Sequence, residues 1–129
     1  MVFSYYQEIV MSPQIVSFTL HAGQSISDGV DCTAFSRVAR LVMPDDWTLA
    51  PLSFQLSPDG VDYHDLYHVT GDMLQPFEIS VPNPKAGSAL AFPSDMGADV
   101  PWFRVRSGTR AAPVAQQADR TFTLILEAA

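Results

Sequence analysis

The chain holds a single cysteine, Cys32, in 129 residues, so neither an intrachain disulfide nor a cysteine-built metal site can form within one copy. A disulfide-stapled secreted scaffold is excluded with them, and Cys32 reads as a small half-buried hydrophobe. Charge is scarce as well: 16% of residues are charged, against about a quarter in an average domain. Basic residues are scarcest, 7 Lys and Arg against 14 Asp and Glu, for a formal net charge of −7. A general nucleic-acid binder needs clustered Lys and Arg to displace phosphate counterions, so this balance argues against nucleic acid and equally against a membrane surface. No stretch approaches the ~20 apolar residues of a membrane span. Met1 to Glu8 has neither the basic start nor the apolar core of a signal peptide. The expectation is a soluble product made in the cytoplasm.

What is present is apolar surface: 47% hydrophobic and 11% aromatic residues, enough for one domain with a real core. Ten prolines and seven glycines spread along it imply many turns and no long helix. The apolar pattern has period two, the strand signal. Val16, Phe18 and Leu20 share a face in Gln14–Leu20, and Ser25–Gly29 reads as a short edge strand. A strand over Ser36–Met43 ends at Pro44, and Leu52–Ser57 alternates with Leu52, Phe54 and Leu56 inward. Pro58-Asp59-Gly60 is the strongest hairpin signal, with Val61–Tyr67 as its return strand. Further strands are expected at Phe77–Val81 and Ala89–Phe92. Trp102–Arg106 should put Phe103 and Val105 on one face and both arginines on the other. Ser107–Pro113 forms a long turn, Val114–Ala118 a loop, and Thr121–Leu126 a last strand with Phe122, Leu124 and Leu126 inward. The sum is an all-β chain of about eight strands at roughly 10-residue spacing, an antiparallel β-sandwich, jelly-roll-like. The sandwich spans 13–129, and residues 1–12 form an N-terminal arm outside it.

One constellation has a chemical look. Asp59, Asp62, His64, Asp65 and His68 lie within ten residues, a composition that suits a divalent cation or a carboxylate–histidine site. On a strand Asp62, His64 and His68 share one face while Asp65 points to the other. The spacing matches neither a calcium loop nor the helical His-Glu-x-x-His pattern, and Asp59-Gly60 is already explained by the turn. A solvated hairpin face is therefore preferred to an ion site, although a metal-dependent enzyme built on Asp62, His64 and His68 stays open. No serine sits in a Gly-x-Ser-x-Gly elbow and no glycine-rich phosphate loop follows a strand, so no catalytic residue and no cofactor are assigned.

The layout of charge is more informative. Residues 28–72 carry eight acids against Arg37 and Arg40, while residues 100–129 carry Arg104, Arg106, Arg110 and Arg120 against Asp119 and Glu127. Regions of opposite sign suit docking onto copies of the same chain or onto a charged partner. The competing explanation is that Arg104 and Arg106 pair with acids on a neighbouring strand. Arg104, Arg106 and Arg110 on the basic side, and Asp62, His64 and Asp65 on the acidic side, are the candidate partner-binding residues. Pro58, Asp59, Gly60, Gly108 and Pro113 read as turn-formers. Trp47, Tyr63, Tyr67 and Trp102 raise sugar binding by aromatic stacking, with core packing the more ordinary use of such residues.

Three blocks taken together resemble a known family. They are Leu41-Val42-Met43-Pro44-Asp45-Asp46-Trp47-Thr48 running into Leu52 to Gly60, then Asp65-Leu66-Tyr67, and last Arg104 to Thr109 continuing through Ala112-Pro113-Val114 to Arg120. Their order and spacing over residues 23–126 resemble small proteins encoded in the structural gene clusters of alphaproteobacterial tailed phages, prophages and gene transfer agents. The resemblance implies a non-enzymatic virion protein on the particle exterior: a capsid decoration, head spike, fibre base or tail accessory. It would be homo-oligomeric, in contact with capsid or with spike and fibre subunits. The alternative, motivated by the aromatic residues and by the sandwich folds of lectins, is a carbohydrate-binding, host-recognition module of a tail or head fibre that meets a surface glycan. Residues 70–98 depart from the family pattern, and the prolines there mark variable loops suited to a partner-facing end. An aromatic arm at 1–12 suits addition to a neighbour's sheet edge.

Overall fold

The computed structural model describes residues 13–69, 75–93, 97 and 99–128; the expected arm at 1–12 lies outside the described residues. Among the described residues there are eleven strands, and every pairing between them is antiparallel. Strands β1 (Gln14–Leu20), β3 (Phe35–Val42), β9 (Ala89–Ala91) and β11 (Arg120–Ala128) form one sheet in the order β1-β11-β3-β9. The second sheet runs β2 (Val30–Asp31), β10 (Trp102–Ser107), β4 (Leu52–Ser57). On the far edge of β4 it carries β5 (His64–Asp65) and β8 (Ser80–Val81). Strands β6 (Tyr67–His68) and β7 (Phe77–Glu78) pair as a separate ribbon. No helix of the described residues is long and apolar enough to cross a membrane.

The two larger sheets share one apolar core in a sandwich-like arrangement. Phe18, Leu20, Leu41, Phe122, Leu124 and Leu126 come from the first sheet, and Leu52, Phe54, Phe103 and Val105 from the second. Phe18 meets Phe103 edge-on across the gap, with ring centroids 6.4 Å apart, and stacks on Phe122 within its own sheet at 5.3 Å. Side chains of this size contribute about 1.5–3 kcal/mol each when fully buried, which is why the period-two pattern fixes the faces. The inward residues expected of Leu52–Ser57, Trp102–Arg106 and Thr121–Leu126 all lie on the core side, Leu56 packing against it half-buried.

Strand β3 shows how the pattern is reconciled with geometry. Val38 and Leu41 are both buried in the core although three residues apart, which a regular strand cannot place on one face. The pairing with β11 shifts between Arg40↔Ile125 and Val38↔Leu126, leaving Ala39 as the extra residue of a β-bulge that reverses the parity. Ala39 is itself buried, and its small side chain suits that position.

Four expectations are corrected. The return strand does not run unbroken over Val61–Tyr67, because the edge of β4 is shared: Gln55 and Leu56 pair with β5, while Leu52 and Ser53 pair with β8. At Leu66 the chain changes partner, donating its N–H to the Phe54 carbonyl and accepting from the Ile79 N–H. Phe77–Val81 is divided at Ile79 for the same reason. Ser25–Gly29 is not a strand but a bridge from Ile26 to Arg106, and the strand follows at β2. Ser27 Oγ accepts the Val105 N–H there, closing the edge of β10 with a side chain. Cys32 is buried more deeply than expected, and burial pushes its thiol pKa up to about 11, which makes it a poor nucleophile.

The turn after β10 depends on Gly108. Its φ is +92°, and a Cβ there would lie 2.3 Å from the Ala112 carbonyl oxygen and 2.7 Å from the Val114 nitrogen. Both obstacles are backbone, so they cannot swing aside. Gly108→Ala is expected to cost about 2–3 kcal/mol in urea unfolding; a loss under about 0.5 kcal/mol would show that the turn relaxes freely.

Candidate functional site

Because Phe103 and Val105 face the core, Arg104 and Arg106 project from the opposite face of the second sheet, where Ser53 and Gln55 of β4 also point. Register sets Arg104 beside Gln55, Arg106 beside Ser53, and Gln55 beside Asp65, so a polar row crosses three strands. Arg104 Nε donates to Gln55 Oε1 at 2.6 Å, and Gln55 Nε2 donates to Asp65 Oδ1 at 2.9 Å. Arg106 occupies the centre. Its Nη1 donates to Asp65 Oδ1 at 2.6 Å, its Nη2 to Glu78 Oε2 at 2.5 Å, and its Nε to Ser53 Oγ at 3.0 Å. Ser53 Oγ in turn donates to the Gly108 carbonyl at 2.8 Å, tying the cluster to the turn. The Arg106 side chain is only 6% exposed, and those of Asp65 and Glu78 are 13% and 17% exposed. A guanidinium this buried needs polar partners, and each of its three nitrogens donates to one.

Burial pushes the Asp65 carboxyl up, but hydrogen bonds from Gln55 and Arg106 and the charges of Arg106 and Arg110 outweigh it and hold the pKa below 3.8. A depressed folded-state pKa stabilises the fold above the unfolded value, and that contribution is lost as pH falls through the folded one. Stability is therefore expected to decline below about pH 4. Asp65→Asn should reduce that slope in unfolding curves taken across the acid range; an unchanged slope would remove Asp65 as its source.

Beside the cluster an open cleft of about 410 Å³ is lined by Tyr63, His64, Asp65, Tyr67 and Arg110. Arg110 comes from the turn after β10, where its backbone N–H donates to Glu78 Oε2 at 3.0 Å while its side chain stays 69% exposed. Tyr63 is held from two directions. The Arg104 guanidinium lies 3.7 Å from its ring centroid, and its hydroxyl sits so close to Gly29 that a Cβ there would come within 2.1 Å of it.

The structure thus gathers Arg104, Arg106, Arg110 and Asp65 into one cluster and sets His64 on the rim of the cleft. Asp62 stands apart, exposed in the hairpin turn, where its backbone N–H and that of Val61 both donate to Asp59 Oδ1 at 2.9 Å. His68 packs edge-on against Phe77, with centroids 5.4 Å apart. Among the described residues no group of three His, Cys, Asp or Glu could hold a metal ion, so the shared strand face expected for Asp62, His64 and His68 builds no site. The acidic middle and the basic C-terminal third are joined within the molecule: Arg106 with Asp65, Arg110 with Asp65, and Arg120 with Asp46. Trp47 donates from Nε1 to the Ala50 carbonyl and packs on Phe122, and Trp102 lies against Gly60, so both tryptophans are committed to packing.

Sequence reasoning passed over Ser53, Gln55 and Glu78. The first two sit at the polar positions of an alternating strand and so read as solvated. Glu78 was legible only as the single acid between Phe77 and Ile79. It also missed Gln116, in what read as a plain loop. Gln116 is buried; its amide accepts from the Thr48 N–H and from Arg120 Nε, and donates to the Thr48 carbonyl and Ser107 Oγ. Thr48, Ser107 and Gln116 belong to two of the blocks that carry the family resemblance, and Arg106–Asp65 links the third.

No family model matches the chain, and no curated protein matches it. Among solved structures, the fold is similar to that of the SPBc2 prophage-derived protein YomS, with a TM-score of 0.55 at 15% identity. The match covers 93% of this chain and 98% of that one. The likeness is one of fold. Near-complete coverage of both chains means that the whole sandwich corresponds, not a shared hairpin.

Proposed function

We propose that the protein is a non-enzymatic structural component on the exterior of a phage-like particle, in the manner of a capsid decoration, head spike or fibre base. The observation that carries this reading is the end-to-end fold likeness to a prophage-derived protein. The three sequence blocks support it and narrow it to the structural proteins of alphaproteobacterial phages and gene transfer agents. The wiring supports it too. The antiparallel, sandwich-like arrangement of β1, β11, β3 and β9 against β2, β10, β4 and β8 supports a jelly-roll reading, a fold common in capsid proteins. In this reading β5, β6 and β7 are an excursion inserted between two jelly-roll strands. The protein assembles as a homo-oligomer against capsid or spike and fibre subunits, and the exposed side chains of Arg110, Asp62 and His64, with Arg104 beside them, serve those contacts.

The test is mass spectrometry and cryo-electron microscopy of purified particles from a bacterium that carries the gene. The protein is expected among the particle proteins, with density outside the capsid shell. Its absence from particles, together with failure of the purified chain to bind them, would overturn the reading.

A further inference from the structure

We propose that the cleft of Tyr63, His64, Asp65, Tyr67 and Arg110 binds a carbohydrate ring, stacking its C–H face on Tyr67 and seating a hydroxyl between Asp65 and Arg110. The inference rests on the cleft alone and not on the proposed place in a virion.

Four features lead to it. The volume of about 410 Å³ falls within the ~300–1,000 Å³ usual for small-molecule sites, and a lining of tyrosine, histidine, aspartate and arginine with no aliphatic side chain favours a polar ligand. Tyr67, which lines the cleft, keeps 39% of its surface in solvent, and an aromatic side chain this exposed gains from being covered. Asp65 Oδ2 and Arg110 Nε stand 3.7 Å apart, too far for a direct hydrogen bond. A hydroxyl placed between them donates to the carboxylate and accepts from the guanidinium, satisfying both at once. A sugar presents hydroxyls of this dual character beside an apolar ring face, whereas a phosphate would meet the Asp65 charge.

The fourth feature is rigidity. Asp65 is fixed by Gln55 and Arg106, and Tyr63 is wedged between Arg104 and Gly29. Side chains already held in place lose little freedom when a ligand arrives, so a shallow site can still bind. Arg106 does not reach the ligand; its part is to position Asp65.

The experiment uses the full chain on an array of immobilised bacterial surface oligosaccharides, some neutral and some containing uronic acids, followed by amide-detected NMR titration with soluble forms of the oligosaccharides bound. At least one is expected to bind, with amide shifts concentrated at residues 63–67 and 110. Tyr67→Ala should weaken binding at least about tenfold, and Tyr67→Phe, which keeps the ring face, less than about threefold. Arg110→Gln should weaken it comparably to Tyr67→Ala, while Leu49→Ser, at an exposed site in another loop, should leave it unchanged. Binding to no member of the array, or binding that both Tyr67→Ala and Arg110→Gln leave intact, would overturn the proposal.

Discussion

Arg106→Met is expected to lower stability by about 3–5 kcal/mol, more than any surface change in this chain. Methionine fills much of the space but leaves the Asp65 and Glu78 carboxylates, both mostly buried, with only the exposed and more distant Arg110 as a cation. It also leaves Ser53 Oγ without the Arg106 donor. For a domain of this size that corresponds to a fall of roughly 10–20 °C in the unfolding midpoint. Arg106→Lys is no substitute, since one ammonium cannot reproduce three donors arranged in a plane toward Asp65, Glu78 and Ser53. The opposite control is Arg110→Ala, whose exposed ion pair with Asp65 should contribute less than about 1 kcal/mol. A thermal shift under about 3 °C for Arg106→Met would mean that water or rearrangement compensates the carboxylates. Replacing all three members together, Arg106→Met with Asp65→Leu and Glu78→Leu, should recover most of the loss, because the penalty is for unpaired charge and not for missing polarity.

Gln116→Leu is expected to cost about 2–4 kcal/mol, a large effect for one uncharged side chain outside every strand. Leucine keeps the volume and removes four hydrogen bonds. It strands the Thr48 N–H and carbonyl and leaves Arg120 Nε, on a buried side chain, without its acceptor. The change would act at a distance along the sequence, since Gln116 pins the loop after β3 to the turn after β10. Gln117→Leu, one residue on and exposed, should stay within about 0.5 kcal/mol. Urea unfolding of both variants checks this. Equal losses for the two would mean that the loop tolerates either residue and that the Gln116 network is not what holds it.

The strands that face the core on one side were legible because alternation is a direct record of burial, as in Phe122, Leu124 and Leu126 of β11. The second polar layer was not legible, for a related reason. Ser53, Gln55 and Arg106 are as deeply covered as many core residues, yet polar residues at alternating positions look the same whether water or another strand lies over them. What meets them is Asp65 of β5 and Glu78 of β7, carried on two-residue strands too short to leave a periodic trace. The bulge at Ala39 escaped as well, since a spacing of three between Val38 and Leu41 reads as noise until the partner strand is known. For the site, the residue types were found and the pairing was not. Arg104, Arg106, Arg110 and Asp65 stood out as charge in a charge-poor chain, but only the register of β10, β4 and β5 joins them.

The pairing of β1 with β11, continuous over seven residues from Gln14↔Leu126 to Leu20↔Arg120, joins the first described strand to the last. Strand β11 is also the one that separates β1 from β3, so their sheet has no middle until β11 arrives. On the ribosome, the apolar residues Val16, Phe18 and Leu20 must wait for a strand partner until β11 has been made. Closing so long a loop is entropically costly, and topologies of this kind fold slowly. The newly made chain therefore passes through an interval in which an uncharged strand is complete but uncovered. That interval, more than the finished domain, is where chaperones and early self-association would compete for it.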